Sequence, residues 1–372
     1  NTAMTTLSSM STARLVARNR AIRLNMTGTV ATKEEIAVPC TVGTGPGGTS
    51  GGAGRNVRTD SHQTASMPST DMVHATPYRG RFAPSPTGPL HFGSLVAAFG
   101  SWLMARRADG QWWVRIEDLD PPREVAGAAD AQLRTLAGFG LVSDAPVVRQ
   151  SERHGLYRAA LDRLFASGQA FPCRCSRSDL AAVDGIHRSC HERSRAEAAI
   201  RLRVADGSVV SFEDALCGHV SQDVAADVGD FVLLRADGFW AYQLAVVVDD
   251  AEQGITHIVR GADLLDSTPR QMLLQRALAL PTPAYAHLPL IVDSHGEKLS
   301  KSMAALPVDG DDPLPALRLA WRALGQQQDG LVGSGSVERA LSRAISAFDP
   351  RLIPRTPVGF AALHNGDAIR DA

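Results

Sequence analysis

The chain has 372 residues, a length that usually corresponds to two or three domains. Its apolar fraction of 44%, charged fraction of 21% and net charge of −1 exclude a uniformly basic surface, so a nucleic-acid partner would need a local basic patch. No stretch approaches the ~20 apolar residues of a membrane span, and five cysteines, an odd number, do not suggest a secreted disulfide framework. We therefore expect a cytoplasmic protein without membrane association.

The first 77 residues differ in composition from the rest of the chain. They contain no Phe, Trp or Tyr and are rich in Thr, Ser, Gly and Ala, so they cannot bury enough apolar surface to offset the entropy of ordering. We predict that residues 1–77 are a disordered, low-complexity extension. Their basic first third resembles an organelle transit peptide, and the alternative is a translated stretch upstream of the true start without function.

Strands and helices alternate from Tyr78 onwards. Residues 79–86, "RGRFAPSP", predict a short strand that ends in a turn, and residues 91–108 predict a helix with one apolar face. A strand follows at 112–118, and a helix with a glycine stop at 127–141. This alternation predicts a doubly wound, Rossmann-type α/β fold with a parallel sheet.

A polar segment with a cysteine cluster interrupts the pattern. After it the pattern resumes, with strands expected at 230–235, 240–250, 255–261 and 288–293 and helices at 269–280 and from about 313. In the last of these helices, which ends at Phe348, Ser336 is a suitable N-cap. The predicted organisation is a first half of the α/β core at 78–172, an insertion with the cysteine cluster at 173–225, a second half of the core at 226–305 and a short helical subdomain at 306–372.

The turn before the first helix, "PSPTGPLHFGS" (84–94), is typical of a phosphate-binding loop. A helix N-terminus carries unpaired N–H groups and about half a positive charge, which together form an anion site. Three prolines stiffen the turn, Gly88 and Gly93 let a ligand approach the backbone, and His91 can donate to a phosphate oxygen.

A second motif, "GEKLSKSM" (296–303), follows about 200 residues later. Its Lys298 and Lys301 can stabilise the negative charge that builds on pyrophosphate in a transition state. Each motif alone is common on protein surfaces, but together they point to nucleotide chemistry.

These two motifs resemble the signatures of class I aminoacyl-tRNA synthetases, in the version that uses glutamate. His91-Phe-Gly93-Ser94 stands in place of the family's His-Ile-Gly-His, and Lys298-Leu-Ser-Lys301-Ser302 in place of Lys-Met-Ser-Lys-Ser. The stretches "RIEDLDPPRE", "AYQLAVVVDD" and "IVRGADLL" also resemble the glutamyl subgroup, so that the likeness covers about residues 78–305. Ser94 departs from the family pattern, since one phosphate-facing imidazole is missing.

The resemblance implies a role for each matching residue. It implies that His91 and Lys301 are catalytic and that His91, Gly93, Lys298 and Lys301 bind ATP together with Mg²⁺. It implies a glutamate pocket made of Arg81, Phe82, Ala83, Pro84, Ser85, Glu117, Tyr242 and Arg260. Outside this context Glu117 could simply pair with Arg115, and Arg260 with Asp263; which arginine holds which carboxylate stays open.

The part of the chain after Ser302 is short for a full glutamyl-tRNA synthetase, which carries a helical anticodon-binding region there. The chain therefore resembles the truncated relatives, the glutamyl-queuosine tRNA(Asp) synthetases. This resemblance implies an enzyme that activates L-glutamate with ATP and esterifies it to queuosine in the anticodon of tRNA(Asp). We expect this enzyme to be a monomer. The alternatives are a truncated synthetase that charges the tRNA 3′ end, and a catalytically weak paralogue that binds tRNA.

The cysteine cluster agrees with this branch of the family. Cys173, Cys175, His187 and Cys190 make a suitable tetrahedral set for one structural Zn²⁺, and His191 is the alternative fourth ligand. Arginines near this cluster and in the C-terminal subdomain are the candidates for contact with tRNA phosphates. They are Arg174, Arg177, Arg188, Arg193, Arg195, Arg201, Arg318, Arg322, Arg339 and Arg343.

Overall fold

A computed structural model of the protein describes residues 77–181, 183–190, 197–299 and 308–365. The expectation of disorder for the N-terminal extension, the alternative ligand His191 and the catalytic candidate Lys301 lie outside these residues. Within them, no helix combines the length and the apolar character needed to cross a membrane.

The described chain contains both strands and helices, which alternate through most of its length. The strands are β1 (Arg79–Phe82), β2 (Gln111–Ile116), β3 (Val148–Arg149), β4 (Ala170–Cys173), β5 (Ala199–Leu202), β6 (Val209–Asp214), β7 (Gly218–Asp223), β8 (Phe231–Leu234), β9 (His257–Gly261), β10 (Ala284–Leu288), β11 (Ile291–Val292) and β12 (Val358–Gly359). The helices are α1 (Phe92–Arg107), α2 (Ala128–Gly138), α3 (His154–Ala166), α4 (Arg177–Ala181), α5 (Val224–Asp227), α6 (Tyr242–Glu252), α7 (Thr268–Ala277), α8 (Pro313–Ala323), α9 (Val337–Ala347) and α10 (Phe360–Asn365).

Parallel strands form the centre of the fold. β1 pairs with β2 and β2 with β3, while β9 pairs with β10, all in parallel. The two groups meet where the Thr256 amide donates to the Arg79 carbonyl at 3.0 Å and the Tyr78 and His257 rings stack. The sheet β3-β2-β1 and the sheet β9-β10-β6-β7 thus lie side by side, with β1 next to β9, in the arrangement of a doubly wound Rossmann fold, which confirms the predicted fold class.

The prediction of a strand at 240–250 was wrong, because this segment forms helix α6. Its apolar run, which includes Leu244 and Val247, is buried along most of the helix, so it carries no amphipathic pattern. An apolar run of this length fits a buried strand and a buried helix equally well by periodicity. Packing against α3 and β8 decides for the helix, in spite of the slightly unfavourable helix propensity of three consecutive valines.

Two further strand predictions need correction. The segment 288–293 contains only the end of β10 and the two-residue β11, because Pro289 has no N–H to continue the ladder. Strand β8 exists, but it pairs antiparallel with β5, which in turn pairs antiparallel with β4. This separate three-stranded sheet lies outside the parallel core.

The other predicted helices are confirmed. His91 caps α1 by accepting from the Ser94 amide. Arg106 and Arg107 occupy the last turn of α1, where cations interact favourably with the negative end of the helix dipole. Ser336 caps α9 by accepting from the Arg339 amide, as expected. Helices α8 and α9 pack on α1 in one apolar cluster that includes Phe99, Trp321 and Phe348.

Candidate active site and metal centre

A cavity of about 500 Å³ opens at the carboxyl ends of β1, β2, β9 and β10. Open α/β sheets bind their ligands at this edge, because the loops that leave neighbouring strands diverge there. The structure places at this cavity all of the predicted substrate and nucleotide residues that it describes: Arg81, Phe82, Ala83, Pro84, Ser85, His91, Gly93, Glu117, Tyr242, Arg260 and Lys298.

The proline-rich turn is held in place by its neighbours. The Gln132 side chain, from α2, donates to the carbonyls of Ser85 at 3.1 Å and Gly88 at 2.7 Å, and the Glu117 amide donates to the Pro84 carbonyl at 2.9 Å. Gly88 has φ of 150°, a value that residues with a side chain rarely adopt. The turn is therefore a fixed wall of the cavity.

Arg81 is oriented by a buried carboxylate. Its Nε and Nη2 donate to the two carboxylate oxygens of Asp250, on α6, at 3.1 and 3.2 Å. The same carboxylate is 2.8 Å from Nη1 of Arg115, and all three side chains are almost fully buried. Burial opposes every charge here, yet the carboxylate keeps the pKa of Arg81 raised, and the two guanidiniums keep the pKa of Asp250 lowered.

Glu117 is a second carboxylate beside Arg115. It accepts from Arg115 Nη2 at 3.2 Å, so the ion pair considered from the sequence is present, and Glu117 also lines the cavity. Burial raises the pKa of Glu117, while Arg115 and Arg81 act to lower it. A buried carboxylate of this kind can hold an ammonium group in the cavity.

Arg260 extends from β9 towards the same cavity. Its Nε donates to His287, and its Nη2 donates to Thr268 at 2.8 Å and Gln271 at 2.9 Å. Its Nη1 is 3.4 Å from the Tyr242 hydroxyl. The Asp263 partner considered from the sequence pairs instead with Lys298, at 2.6 Å.

Tyr242 and His91 are both held in neutral forms. Burial raises the pKa of Tyr242, so its hydroxyl keeps its proton. Burial and the Lys298 ammonium lower the pKa of His91. Since His91 Nδ1 accepts from the Ser94 amide at 3.2 Å, the neutral imidazole carries its proton on Nε2, 3.0 Å from the Ser94 hydroxyl. The backbone amide of residue 94 therefore fixes the tautomer of His91, and the Ser94 hydroxyl, the departure from the family pattern, accepts from Nε2.

Glycine at position 93 keeps this histidine in place. A Cβ atom there would lie 3.2 Å from His91 Cε1 and Nδ1, closer than ordinary van der Waals contact. A side chain at this position would require the imidazole to shift by a few tenths of an ångström.

A second cavity of about 960 Å³ adjoins the first. The two share five lining residues: Ser85, Glu117, Asp120, Arg123 and Tyr242. The second cavity continues to Trp240 and Arg235 after β8 and to Cys175, a member of the cysteine cluster. The first cavity thus opens into a larger space between the parallel sheet and the antiparallel sheet.

The predicted metal ligands come together. One ligand atom from each of Cys173, Cys175, His187 and Cys190 lies within 4.8 Å of the others. His187 Nε2 is 3.2 Å from Cys173 Sγ and 3.6 Å from Cys190 Sγ. These four residues can hold a tetrahedral metal ion.

Asp230 orients the histidine of this cluster. Its Oδ2 is 2.9 Å from His187 Nδ1, and its Oδ1 accepts from the Val204 amide at 2.7 Å. A proton on Nδ1 leaves the Nε2 lone pair directed at the three sulfur atoms, which is the arrangement of a carboxylate–histidine–metal relay.

Several residues at these sites were not identified from the sequence. Asp250 and Asp230 each stand at the edge of an apolar run, and an acid in such a run is a signal that can be searched for. Arg201, a candidate tRNA contact from the sequence, is largely buried, lines the second cavity and donates to the Asp230 carbonyl at 2.8 Å.

Comparisons with known proteins agree with this geometry. The family model "tRNA synthetases class I (E and Q), catalytic domain" matches residues 78–199 and 186–315. A Glutamyl-Q tRNA(Asp) synthetase of Xanthomonas axonopodis pv. citri is 65% identical over 279 residues, which cover 75% of this chain and 93% of that protein. One from Burkholderia cenocepacia is 55% identical over 295 residues, covering 75% of this chain and 98% of that protein.

Solved structures support the fold independently. A glutamate tRNA ligase from Elizabethkingia meningosepticum, crystallised with its amino acid, has a TM-score of 0.62 at 23% identity. The match covers 76% of this chain and 67% of that protein.

Proposed function

The chain belongs to the glutamyl-Q tRNA(Asp) synthetases, within the class I tRNA synthetases for glutamate and glutamine, and on this premise we propose its reaction. The protein activates L-glutamate with ATP and transfers the glutamyl group to queuosine in the anticodon of tRNA(Asp). The observation that carries the proposal is the charge pattern of the first cavity. Two buried guanidiniums, Arg81 and Arg260, and one buried carboxylate, Glu117, complement the two carboxylates and one ammonium of glutamate.

The first step needs positioning more than proton transfer. A carboxylate oxygen of glutamate attacks the α-phosphorus of ATP, a carboxylate–phosphorus bond forms, and the bond to pyrophosphate breaks. His91 donates from Nε2 to phosphate oxygens, exchanging its bond to Ser94, while Lys298 and Lys301 stabilise the charge on the leaving group. Mg²⁺ bound with ATP neutralises further phosphate charge.

The second step takes place where the two cavities meet. A hydroxyl of the queuosine cyclopentenediol attacks the activated carbonyl, an ester forms, AMP leaves and the hydroxyl proton is released. The second cavity has room for a nucleoside, and it adjoins the glutamate pocket through Glu117 and Tyr242. We therefore assign it to the modified nucleoside of tRNA(Asp).

Transfer of labelled glutamate to two tRNA pools tests the proposal. With ATP and Mg²⁺, we expect label on tRNA that carries queuosine and none on tRNA from cells that cannot make it. Label should also persist on queuosine-bearing tRNA whose 3′-terminal adenosine has been removed. Equal labelling of both pools would indicate charging of the 3′ end instead, and the absence of any transfer would indicate a paralogue that only binds tRNA.

We propose that the cysteine–histidine cluster binds one structural Zn²⁺. Three sulfurs and one imidazole nitrogen are the donors that Zn²⁺ prefers, and the antiparallel sheet beside them gains a crosslink when they are occupied.

Replacing Asp230 with asparagine tests the relay to His187. An asparagine side chain can donate as well as accept, so it no longer fixes the proton on His187 Nδ1 or the lone pair on Nε2. We therefore expect the Zn²⁺ affinity to fall about 10- to 100-fold. Competition with a chromogenic chelator measures this affinity. Asp206→Asn is a matched control, because that carboxylate is fully exposed in the same region. Equal affinities in the Asp230 variant and the unmodified protein would contradict the relay.

A further inference from the structure

Arg260 is supported from behind by two residues of neighbouring strands. His287, on β10, stands directly beside Arg260 in the parallel register, and Asp214 ends β6 on the far side of β10. The side chains of His287 and Asp214 are completely buried. Neither residue lines the first cavity.

Asp214 is held as an anion by backbone donors. Its Oδ1 accepts from the amides of Leu216, Cys217 and His287 at 3.0, 2.9 and 3.1 Å. Its Oδ2 is 2.6 Å from His287 Nδ1. Although burial acts to raise it, these hydrogen bonds keep the pKa of Asp214 below its usual range. An ionised carboxylate can only accept, so Nδ1 of His287 carries a proton.

The other ring nitrogen, Nε2, lies beside the Arg260 guanidinium and, at 3.2 Å, the Thr268 hydroxyl, which already accepts from Arg260 Nη2 and so can donate to Nε2. Arg260 Nε lies 3.1 Å from His287 Nε2, and arginine has no acceptor and does not deprotonate in proteins. Nε2 must therefore present its lone pair, and His287 is the neutral imidazole with its proton on Nδ1. Burial and the Arg260 charge both lower the pKa of His287, in keeping with a neutral ring.

We propose that Asp214 and His287 are positioning residues that fix the guanidinium of Arg260 for glutamate by fixing the tautomer of His287. With Nε tied to His287 and Nη2 to Thr268 and Gln271, Nη1 is directed to Tyr242 at the cavity. The role rests on the proposed function, since it concerns the residue that would hold a substrate carboxylate. The relay of contacts from Asp214 to His287 to Arg260 runs across three neighbouring strands of the sheet. Only Arg260 would contact the glutamate.

Asp214→Asn tests the relay with almost no change of shape. The asparagine oxygen can still accept the backbone amides, while its NH₂ group donates to His287 Nδ1 and forces the proton onto Nε2, against Arg260 Nε–H. We expect the glutamate KM to rise about 10- to 100-fold, with a smaller change in kcat, in glutamate-dependent ATP–pyrophosphate exchange with queuosine-bearing tRNA present.

Glu213→Gln is the matched control. Glu213 also pairs with a histidine at 2.6 Å, His219, but that pair is exposed on the same hairpin. This substitution should leave the glutamate KM within about twofold, because exposed ion pairs contribute little.

His287→Gln provides the second background. A glutamine oxygen can accept from Arg260 Nε without depending on a tautomer, so Asp214→Asn should add less than about twofold to the KM of this variant. A purely structural role for Asp214 would add the same penalty in both backgrounds, and that result would overturn the proposal.

The tautomer itself is the decisive measurement. In protein labelled with ¹⁵N-histidine, the ring nitrogen shifts of His287 should show a proton on Nδ1 in the unmodified chain and on Nε2 in Asp214→Asn. A proton on Nε2, or on both nitrogens, in the unmodified chain would refute the proposal even if the variants did not fold. If the unmodified protein shows the expected tautomer but no glutamate-dependent exchange, the proposed reaction fails, and so does the role assigned to the relay.

Discussion

Glu117→Gln is expected to lower kcat/KM for glutamate on the order of 10²- to 10³-fold, because it removes the charge proposed to hold the α-ammonium group. Glutamine has nearly the same shape, and Arg115 retains Asp250 at 2.8 Å, so the fold should survive. Initial rates of glutamate-dependent ATP–pyrophosphate exchange measure the effect, with thermal unfolding as the check on the fold.

The pH dependence of the same reaction provides a second reading. Since burial raises the pKa of Glu117, its carboxylate takes up a proton at a higher pH than an ordinary glutamate. Activity should fall as the pH drops through this raised pKa, because kcat/KM reports the free enzyme and the protonated carboxyl cannot pair with an ammonium. The decline should be absent from the glutamine variant.

Glu124→Gln is the matched control for this prediction. Glu124 also lines the first cavity, and burial likewise raises its pKa. Among the described residues, however, no arginine forms a salt bridge with Glu124. We expect an effect below about tenfold, since Glu124 is not assigned to a substrate charge. If Glu124→Gln abolished exchange while Glu117→Gln did not, the ammonium would belong to Glu124.

Asp250→Asn is expected to cost about 3–5 kcal/mol in the free energy of unfolding, because it leaves Arg81 and Arg115 buried without their shared carboxylate. Urea unfolding at neutral pH measures the cost. The pKa of Asp250 is lowered in the folded protein, so its contribution is complete above the ordinary carboxyl pKa of about 4 and is lost as the pH falls through the lower folded value. The gap between variant and unmodified protein should therefore narrow in acid.

An exposed pair calibrates this result. Asp130 and Arg149 are 2.7 Å apart, but the carboxylate side chain is 63% exposed. Asp130→Asn should cost less than about 1 kcal/mol, because water screens and replaces the interaction. Equal costs for the two substitutions would mean that the buried carboxylate contributes no more than a surface ion pair.

Local sequence signals determined much of the site. The turn from Pro84 to Gly93, the acid at Glu117 and the arginine at Arg260 each follow a strand or end one, so correct strand boundaries brought them to one edge of the sheet. Cys173 and Cys175 lie close in sequence, and their spacing to His187 was enough to indicate a metal site.

For segment 240–250, the local sequence pattern did not predict the correct secondary structure. An apolar run without alternation carries no information on whether it forms a strand or a helix, and only burial on all sides made it α6. That helix then delivers Asp250 to Arg81, a pairing across 169 residues of sequence.

By itself, the sequence determined the class of fold and the residue types of the proposed nucleotide loop, substrate pocket and metal site, because these depend on spacing within a strand, a turn or a helix. Only the tertiary structure decided which side chains fix those residues in place: Asp250 behind Arg81, Asp230 behind His187, and Asp214 with His287 behind Arg260. The physical reason is that a buried charge must find its partner in space, and no periodicity along the chain records which distant strand supplies it.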